Sequence, residues 1–202
     1  LISPSGANAA LFQGSAPAAA PPVLLAVGRF VAKKGPLQTL RAFALLCRDP
    51  AVAKLQPELW MVGEGPLLAS AQSLVVELGL QEQVRFLGVR SQDRVAQLMR
   101  EVRGFVQHSM VAPDGDSEGN PVAVMEAQLS GLPVVATRHA GIPEVVLEGR
   151  TGLLVDEGDE DGMARAMARL LMEPDLAARL GDCGRWRIQE RFTIEHHLRQ
   201  VE

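Results

Sequence analysis

The sequence predicts an α/β fold built on a doubly wound parallel sheet of about six strands. Short apolar runs that end in turn residues alternate with segments of helical spacing, and VLLAVG at residues 23–28 is the first such run. Continuous apolar runs of this kind are typical of parallel strands that are covered on both faces. The 202 residues and the apolar content of 47% suffice for one domain with a substantial core.

Composition divides the chain into a linker and a folded domain. Residues 1–22 are rich in Ala, Pro, Ser and Gly and show no periodicity, which is typical of a linker. We therefore expect one folded domain over residues 23–202. Further strands are expected at 58–63, 84–88, 104–109, 134–137 and 152–155, with helices between them, a loop at 140–143 and closing helices after Pro174.

Charge and composition exclude several classes of protein. The net charge of −4, from 20 basic and 24 acidic residues, and the absence of tyrosine argue against nucleic-acid binding. No apolar run approaches the roughly 20 residues that span a bilayer, and no secretory signal pattern occurs. We therefore expect a cytoplasmic protein. Cys47 and Cys183 lie far apart in the sequence, so neither a disulfide nor a zinc site is indicated.

Two loop motifs imitate known sites without completing them. Residues 114–119, DGDSEG, look like the start of a calcium loop, but Met125 stands where such a loop needs a bidentate Glu. Gly63 and Gly65 follow the second strand, and Leu68 occupies the place of the third glycine of a dinucleotide fingerprint. The sequence therefore predicts neither a metal ion nor a dinucleotide cofactor.

The segment after the fourth strand carries two carboxylates on or beside a short helix. Asn120 is a suitable N-cap, Pro121 suits the first helical position, and Gly131 lies just past the expected end. Glu118 precedes this helix and Glu126 lies within it among apolar residues. Burying a carboxylate is costly unless a donor reaches it, and the hydroxyls of a ligand would serve. The alternative is that both glutamates are solvated surface charges.

Basic residues follow the first strand. Arg29 comes directly after that strand, and Lys34 precedes the next helix. Ligands of open α/β sheets bind at the carboxyl ends of strands, and helix N-termini favour phosphate, so this pair is placed for a diphosphate. The alternative is that both are solvated, as we expect for Lys33. His108 and His139 show no partner in the sequence and are expected to be structural.

Residues 118–126, EGNPVAVME, match the Glu-x7-Glu motif of the retaining glycosyltransferases of family 4, which have the two-domain GT-B architecture. SGLPVVAT and GIPEVV follow in the order that the family shows. The chain especially resembles enzymes that build bacterial exopolysaccharides such as colanic acid. The resemblance implies that residues 23–202 are the Rossmann-like, nucleotide-sugar-binding C-terminal domain, and that the N-terminal acceptor domain is absent from this chain.

The family resemblance also assigns roles to individual residues. Arg29 and Lys34 are implied to contact the pyrophosphate of the donor, Glu126 to hold its ribose, and Glu118 to position the sugar without acting as a covalent nucleophile. Arg29, Lys34 and Glu118 are thereby the implied catalytic residues. The full implied donor site is Arg29, Lys34, Gly63, Leu87, Glu118, Gly119, Asn120, Pro121, Val122 and Glu126.

The activity implied by the resemblance is retaining transfer of a hexosyl group from a nucleotide diphosphate sugar, such as a UDP-sugar, to a glycan or lipid-linked acceptor. No metal or other cofactor is implied. The implied partners are the donor, the acceptor and the missing domain, through which the protein would meet the inner face of the membrane. Residues 1–202 alone are expected to be inactive. The alternatives are half of a nucleotide-sugar epimerase or phosphorylase, and a non-catalytic nucleotide-sugar-binding module.

Overall fold

The computed structural model describes residues 10–117 and 121–191. The strands are β1 (Val23–Val27), β2 (Glu58–Val62), β3 (Val84–Gly88), β4 (Gly104–Gln107), β5 (Val134–Thr137) and β6 (Gly152–Val155). The helices are α1 (Pro36–Cys47), α2 (Pro50–Ala53), α3 (Leu68–Glu77), α4 (Gln92–Glu101), α5 (Val122–Ser130), α6 (Ile142–Val145), α7 (Glu160–Met172) and α8 (Pro174–Arg191). A 3₁₀ turn, Ala32–Lys34, precedes α1.

The six strands form one parallel sheet in the order β3-β2-β1-β4-β5-β6. Strand β1 is central, and its Leu25 lies between Trp60 of β2 and Phe105 of β4. The chain moves outward from β1 to β3, returns to the other side of β1 at β4, and then moves outward again. The strand order therefore reverses between β1 and β4, which is where open α/β sheets bind their ligands. The predicted doubly wound parallel sheet is confirmed.

Alternating side chains of β1 enter two apolar cores, one on each face of the sheet. Leu24 packs with Phe43 beneath α1 and α7. Leu25 packs with Phe105 and Met125 beneath α4 and α5. All five side chains have no exposed surface. This two-sided burial explains why the strand runs are continuously apolar rather than alternating.

Local boundaries differ from the predicted ones in two helical regions. Helix α5 begins at Val122, and Pro121 precedes it with φ −81° and ψ 58°. Pro121 is therefore not the first helical residue, because its ψ lies outside the helical range. Residues 142–145 form α6 where a loop was predicted, and α2 was not predicted. In α2 the carboxylate of Asp49 accepts a hydrogen bond from the backbone N–H of Ala51 at 2.8 Å, which stabilises the first turn.

The described part of the predicted linker packs against the domain. Phe12 has no exposed surface and lies in the core beneath α4 and α5. The backbone N–H of Ser15 donates to the carbonyl oxygen of Ser130 at 3.0 Å. The buried guanidinium of Arg103 donates from two nitrogens to the carbonyl oxygen of Ala20 and from the third to Leu171. Residues 10–22 thus contribute a core side chain and satisfy a buried charge.

The last described helix, α8, covers part of the second face. Helix α8 packs on α5, and its Ile188 is fully buried. Ile194 and Leu198, in the predicted closing helical segment, lie outside the described residues. Within residues 10–117 and 121–191, no helix has the length and apolar character required to cross a bilayer.

Candidate functional site

A cleft of about 370 Å³ lies at the carboxyl ends of β1, β2 and β3. A smaller hollow adjoins it between the ends of β1 and β4, at the point where the strand order reverses. Arg29 lines both. The cleft is lined by Val27, Gly28, Arg29, Val62, Gly63, Glu64, Val89, Arg90 and Val95.

Two of the predicted cationic residues meet at the end of β1. Arg29 is exposed, and Lys34 is half-buried in the 3₁₀ turn that follows it. A Cβ atom on Gly28 would lie 3.6 Å from Cδ of Lys34, so the lysine stem passes over this glycine. Two positive charges at the rim of a concave site favour an anionic ligand. Gly35, just before α1, packs against the backbone of His108, whose carbonyl oxygen a Cβ there would meet at 2.0 Å, and Pro36 and Thr39 of α1 line the hollow.

Lys33, which was expected to be solvated, is tied to the loop that leads to Glu118. Its Nζ lies 3.0 Å from Oδ1 of Asp116 and donates to the carbonyl oxygen of Ser117 at 3.4 Å. The backbone N–H of Asp116 in turn donates to Asp114. A surface ion pair therefore joins the turn that carries the basic residues to this acidic loop, and Lys33 is both partly exposed and paired.

Glu126 is buried, with 7% of its surface exposed. Its Oε1 accepts a hydrogen bond of 3.2 Å from Nε2 of Gln92, at the start of α4. Burial raises the pKa of Glu126 to about 7, although the hydrogen bond from Gln92 opposes this rise. The alternative that Glu126 is a solvated surface charge is therefore wrong. Val95, one turn after Gln92 on the same face of α4, lines the cleft, so Gln92 connects the carboxylate to a helix that forms part of the cleft wall.

The structure describes only some of the residues near the start of α5 that the family resemblance assigns to the donor site. Glu118, Gly119 and Asn120 lie outside the described residues, and their roles stay predictions. Pro121 is buried, and Val122 packs partly buried against the core beneath α4 and α5.

Gly63 lines the cleft, and the fold itself requires a glycine at this position. It has φ 133°, and a Cβ there would lie 2.0 Å from the carbonyl oxygen of Gly28. The close approach of the two strand-end loops therefore already requires a glycine, whether or not a ligand approaches its backbone. Leu87 packs partly buried against the core beneath α4 and α5, and Val89 and Arg90 line the cleft instead.

The sequence analysis missed several residues of the site, and one group of them is Val89, Arg90, Gln92 and Val95. These four lie in the connection after β3 or in the first turn of α4. In a parallel sheet the connections that leave the carboxyl ends of strands lie along one edge, so the position of these residues after β3 was the available signal.

Both histidines at the carboxyl edge are engaged in the fold. His108 is fully buried, and its Nε2 accepts a hydrogen bond of 2.9 Å from the backbone N–H of Gly158. Burial lowers its pKa to about 4, against the opposing charges of Asp159 and Glu157, so the ring is neutral near pH 7. His139 is buried as well, and its Nδ1 lies 2.6 Å from Oε1 of Glu157. These contacts support structural roles for both rings.

No three His, Cys, Asp or Glu side chains of the described residues are arranged to hold a metal ion. Glu118, which belongs to the calcium-like loop, lies outside those residues. Cys47 and Cys183 are unpaired thiols, and burial raises the pKa of Cys47 to about 11. A thiol with such a pKa is almost entirely protonated near neutral pH and is a poor nucleophile.

The family described as "Glycosyl transferases group 1" matches residues 8–187. The chain belongs to this family. Amylovoran biosynthesis glycosyltransferase AmsK of Erwinia amylovora is 34% identical over 147 residues, which are 73% of this chain and 35% of that protein. Putative colanic acid biosynthesis glycosyltransferase WcaL of Escherichia coli is 33% identical over 150 residues, which are 74% of this chain and 36% of that protein. The predicted resemblance to enzymes of bacterial exopolysaccharide synthesis is confirmed.

The fold is also that of solved glycosyltransferase structures. Anabaena HepE, solved in complex with UDP and glucose, superposes with a TM-score of 0.82 at 23% identity over 97% of this chain and 54% of that chain. At this identity the likeness shows the fold alone. The group 1 domain described here thus spans about a third to a half of the length of the proteins that it matches.

Proposed function

We propose that this group 1 glycosyltransferase domain binds a nucleotide diphosphate sugar as the donor for retaining hexosyl transfer. The observation that carries the proposal is the pair of cations, Arg29 and Lys34, that lines the hollow at the strand-order reversal next to the cleft. A buried carboxylate, Glu126, is joined through Gln92 to α4, the helix whose Val95 lines that cleft. A nucleoside diphosphate offers hydroxyls to a carboxylate and negative charge to cations.

The basic pair has a chemical role in this proposal. As the bond from the sugar to the diphosphate breaks, negative charge grows on the departing oxygen. Arg29 and Lys34 interact more strongly with that charge in the transition state than in the ground state, which is the condition for accelerating the reaction. No metal ion is required for this stabilisation, because two side-chain cations supply it.

Glu126 binds rather than reacts in this scheme. An ionised carboxylate accepts hydrogen bonds from the ribose hydroxyls and so fixes the nucleoside end of the donor. Glu118 and the backbone of residues 119–122 position the sugar, and the acceptor attacks from the face that the diphosphate leaves. The acceptor site and the closure that excludes water come from a second domain. Glycans and lipid-linked glycans are the acceptor classes that suit a relative of exopolysaccharide enzymes.

Two alternatives from the sequence are less well supported. Membership of the group 1 glycosyltransferases argues against an epimerase or a phosphorylase. A non-catalytic binding module would share the cleft, and only turnover separates it from an enzyme. Transfer, epimerisation or phosphorolysis of the donor by a protein in which this domain is joined to its partner domain distinguishes the three.

The binding proposal is tested by NMR titration of the 202-residue chain with UDP, GDP and ADP and with their sugar conjugates. Arg29→Ala and Lys34→Ala should each weaken binding of the preferred diphosphate about tenfold or more, since charge-assisted hydrogen bonds contribute about 1.5–3 kcal/mol. Lys54→Ala removes an exposed lysine outside the cleft and is the matched control. Equal, small effects of all three variants would place the anion site elsewhere.

A second comparison separates the two glutamates. Glu126→Ala should weaken the diphosphate and its sugar conjugate alike, because both carry the ribose. Glu118→Ala should mainly remove any preference for the conjugate. The same loss for both ligands in both variants would contradict this division of roles.

A further inference from the structure

The carboxylate of Glu126 has one donor among the described side chains. Nε2 of Gln92 lies 3.2 Å from Oε1, and no described residue donates to Oε2. The hydrogen bond joins residues 34 positions apart in the sequence and connects α4 to α5. A buried carboxylate with a single protein donor retains acceptor capacity on its second oxygen, which a ligand donor can use.

Gln92 is itself well placed to fix this carboxylate. It is the first residue of α4, whose start is set by Ser91, because the Ser91 hydroxyl accepts a hydrogen bond from the backbone N–H of Arg94 at 3.3 Å. Val89 and Arg90, which line the cleft, come just before this cap. The Gln92 amide therefore ties the β3–α4 connection, on one side of the cleft, to the helix that carries Glu126.

We propose that Gln92 is a positioning residue for the nucleotide: its amide orients the Glu126 carboxylate so that Oε2 accepts hydrogen bonds from the ribose hydroxyls. This inference rests on the proposed function and adds a residue that the Glu-x7-Glu motif does not contain. Gln92 need not touch the ligand, since it acts through Glu126.

The ionisation of Glu126 supports this role. Burial favours the neutral acid and the Gln92 hydrogen bond favours the carboxylate, while no charged side chain of the described residues contributes to the shift of the pKa. Loss of the amide should therefore raise the pKa of Glu126 further. A larger fraction of the protein would then carry a protonated Glu126 near neutral pH, and a protonated carboxyl has one acceptor oxygen fewer for the ribose.

The test uses Gln92→Leu in the 202-residue chain, with Gln97→Leu as the matched control. Gln97 is an exposed glutamine on the same helix and donates nothing to Glu126. Dissociation constants are measured by NMR titration with UDP and with 2′,3′-dideoxy-UDP, from about pH 6 to about pH 9. Gln92→Leu should weaken UDP about fivefold to tenfold near pH 7, and the loss should shrink as the pH rises.

The dideoxy ligand separates positioning from a general structural effect. It lacks the hydroxyls that Glu126 would hold, so Gln92→Leu should leave its affinity within about twofold of the Gln97→Leu value. An equal loss for both ligands would overturn the inference. Gln92→Glu is the second variant, because an acidic residue in the first turn suits the helix dipole while the donor is lost. It should weaken UDP more than Gln92→Leu does, and unchanged UDP affinity in Gln92→Glu would also overturn the inference.

The outcomes also distinguish this inference from the proposed function. If the wild-type chain binds no nucleoside diphosphate, the proposed function falls and the inference falls with it. If the wild type binds UDP and Glu126→Gln binds it equally well, the ribose role of Glu126 and the inference about Gln92 are wrong, while binding of the diphosphate stands. If Glu126→Gln weakens UDP but Gln92→Leu behaves like Gln97→Leu at every pH, the inference about Gln92 alone is wrong.

Discussion

Replacing Glu126 by Gln isolates the effect of one buried ionisable group on folding. Burial raises the pKa of this carboxyl from 4.5 to about 7. The unfolded chain therefore releases the proton near pH 4.5, while the folded protein holds it until near pH 7. Between these values the unfolded state binds fewer protons, so the free energy of unfolding falls as the pH rises. Gln at this position stays neutral, and its carbonyl oxygen can still accept the hydrogen bond from Gln92.

The magnitude follows from the two pKa values. Each tenfold change in proton affinity corresponds to about 1.4 kcal/mol, so the cost of ionising Glu126 approaches about 3 kcal/mol above about pH 8 and is about 1 kcal/mol near pH 5. Glu126→Gln should therefore have a larger free energy of unfolding than the wild type. This gain in stability should be about 2 kcal/mol larger near pH 8 than near pH 5. The same variant should bind UDP more weakly, because the neutral amide is a poorer partner for the ribose hydroxyls.

Urea unfolding at the two pH values measures this difference. Comparing variant and wild type at each pH cancels the titration of all other groups, including His108. Glu77→Gln, at an exposed position of α3, controls for the removal of one negative charge from the protein. If the stability gain of Glu126→Gln is the same near pH 5 and pH 8, the carboxyl does not change its ionisation between these values in the folded state, and the reasoning from burial fails.

Three further predictions follow from packing and domain content. Gly63→Ala should destabilise the fold by about 2 kcal/mol or more, because a Cβ would lie 2.0 Å from the carbonyl oxygen of Gly28. Gly158→Ala is the control and should cost less, because a Cβ there has no atom within 4 Å. Equal losses of stability in urea unfolding would contradict this. Phe12→Ala should lower the free energy of unfolding by about 3–5 kcal/mol in thermal or urea unfolding, because Phe12 is fully buried. Gln13→Ala, at an exposed position, is the control and should change it almost not at all. A mild effect of Phe12→Ala would mean that this side chain is not part of the core. The 202-residue chain alone should bind a nucleotide sugar with a dissociation constant of about 0.1–1 mM and should transfer no sugar. Turnover at rates like those of a two-domain enzyme would show that the acceptor chemistry lies within these residues.

The fold was predictable because its information is local. The strands are short segments rich in apolar residues and bounded by turn residues, and such segments at this spacing leave few arrangements besides a doubly wound parallel sheet. The position of Arg29 at the end of β1 was predictable for the same reason, since the carboxyl ends of parallel strands share one edge. Glu126 stood out because its sequence neighbours are apolar.

The remaining features depend on contacts between distant parts of the chain. Gln92 meets Glu126 only where α4 packs on α5, and nothing in the sequence around either residue marks the pair. Lys33 was expected to be solvated, as basic residues in loops usually are, and its partner Asp116 lies 83 positions away, where the sequence around Lys33 gives no sign of it. Gly63 was predicted to be part of the donor site. Its close approach to Gly28 was not predicted, because that contact depends on the register of β1 and β2.

The packing of residues 10–22 bears on how this domain can be exchanged between related enzymes. A chimera joined at Val23, where the first strand begins, would lose Phe12 and the carbonyl oxygen of Ala20. The first loss opens a cavity the size of a phenylalanine side chain, and the second removes two of the three hydrogen bonds that the buried guanidinium of Arg103 makes to backbone carbonyls. A splice made before residue 10 keeps both, so recombination between group 1 domains should preserve folding there and impair it at Val23.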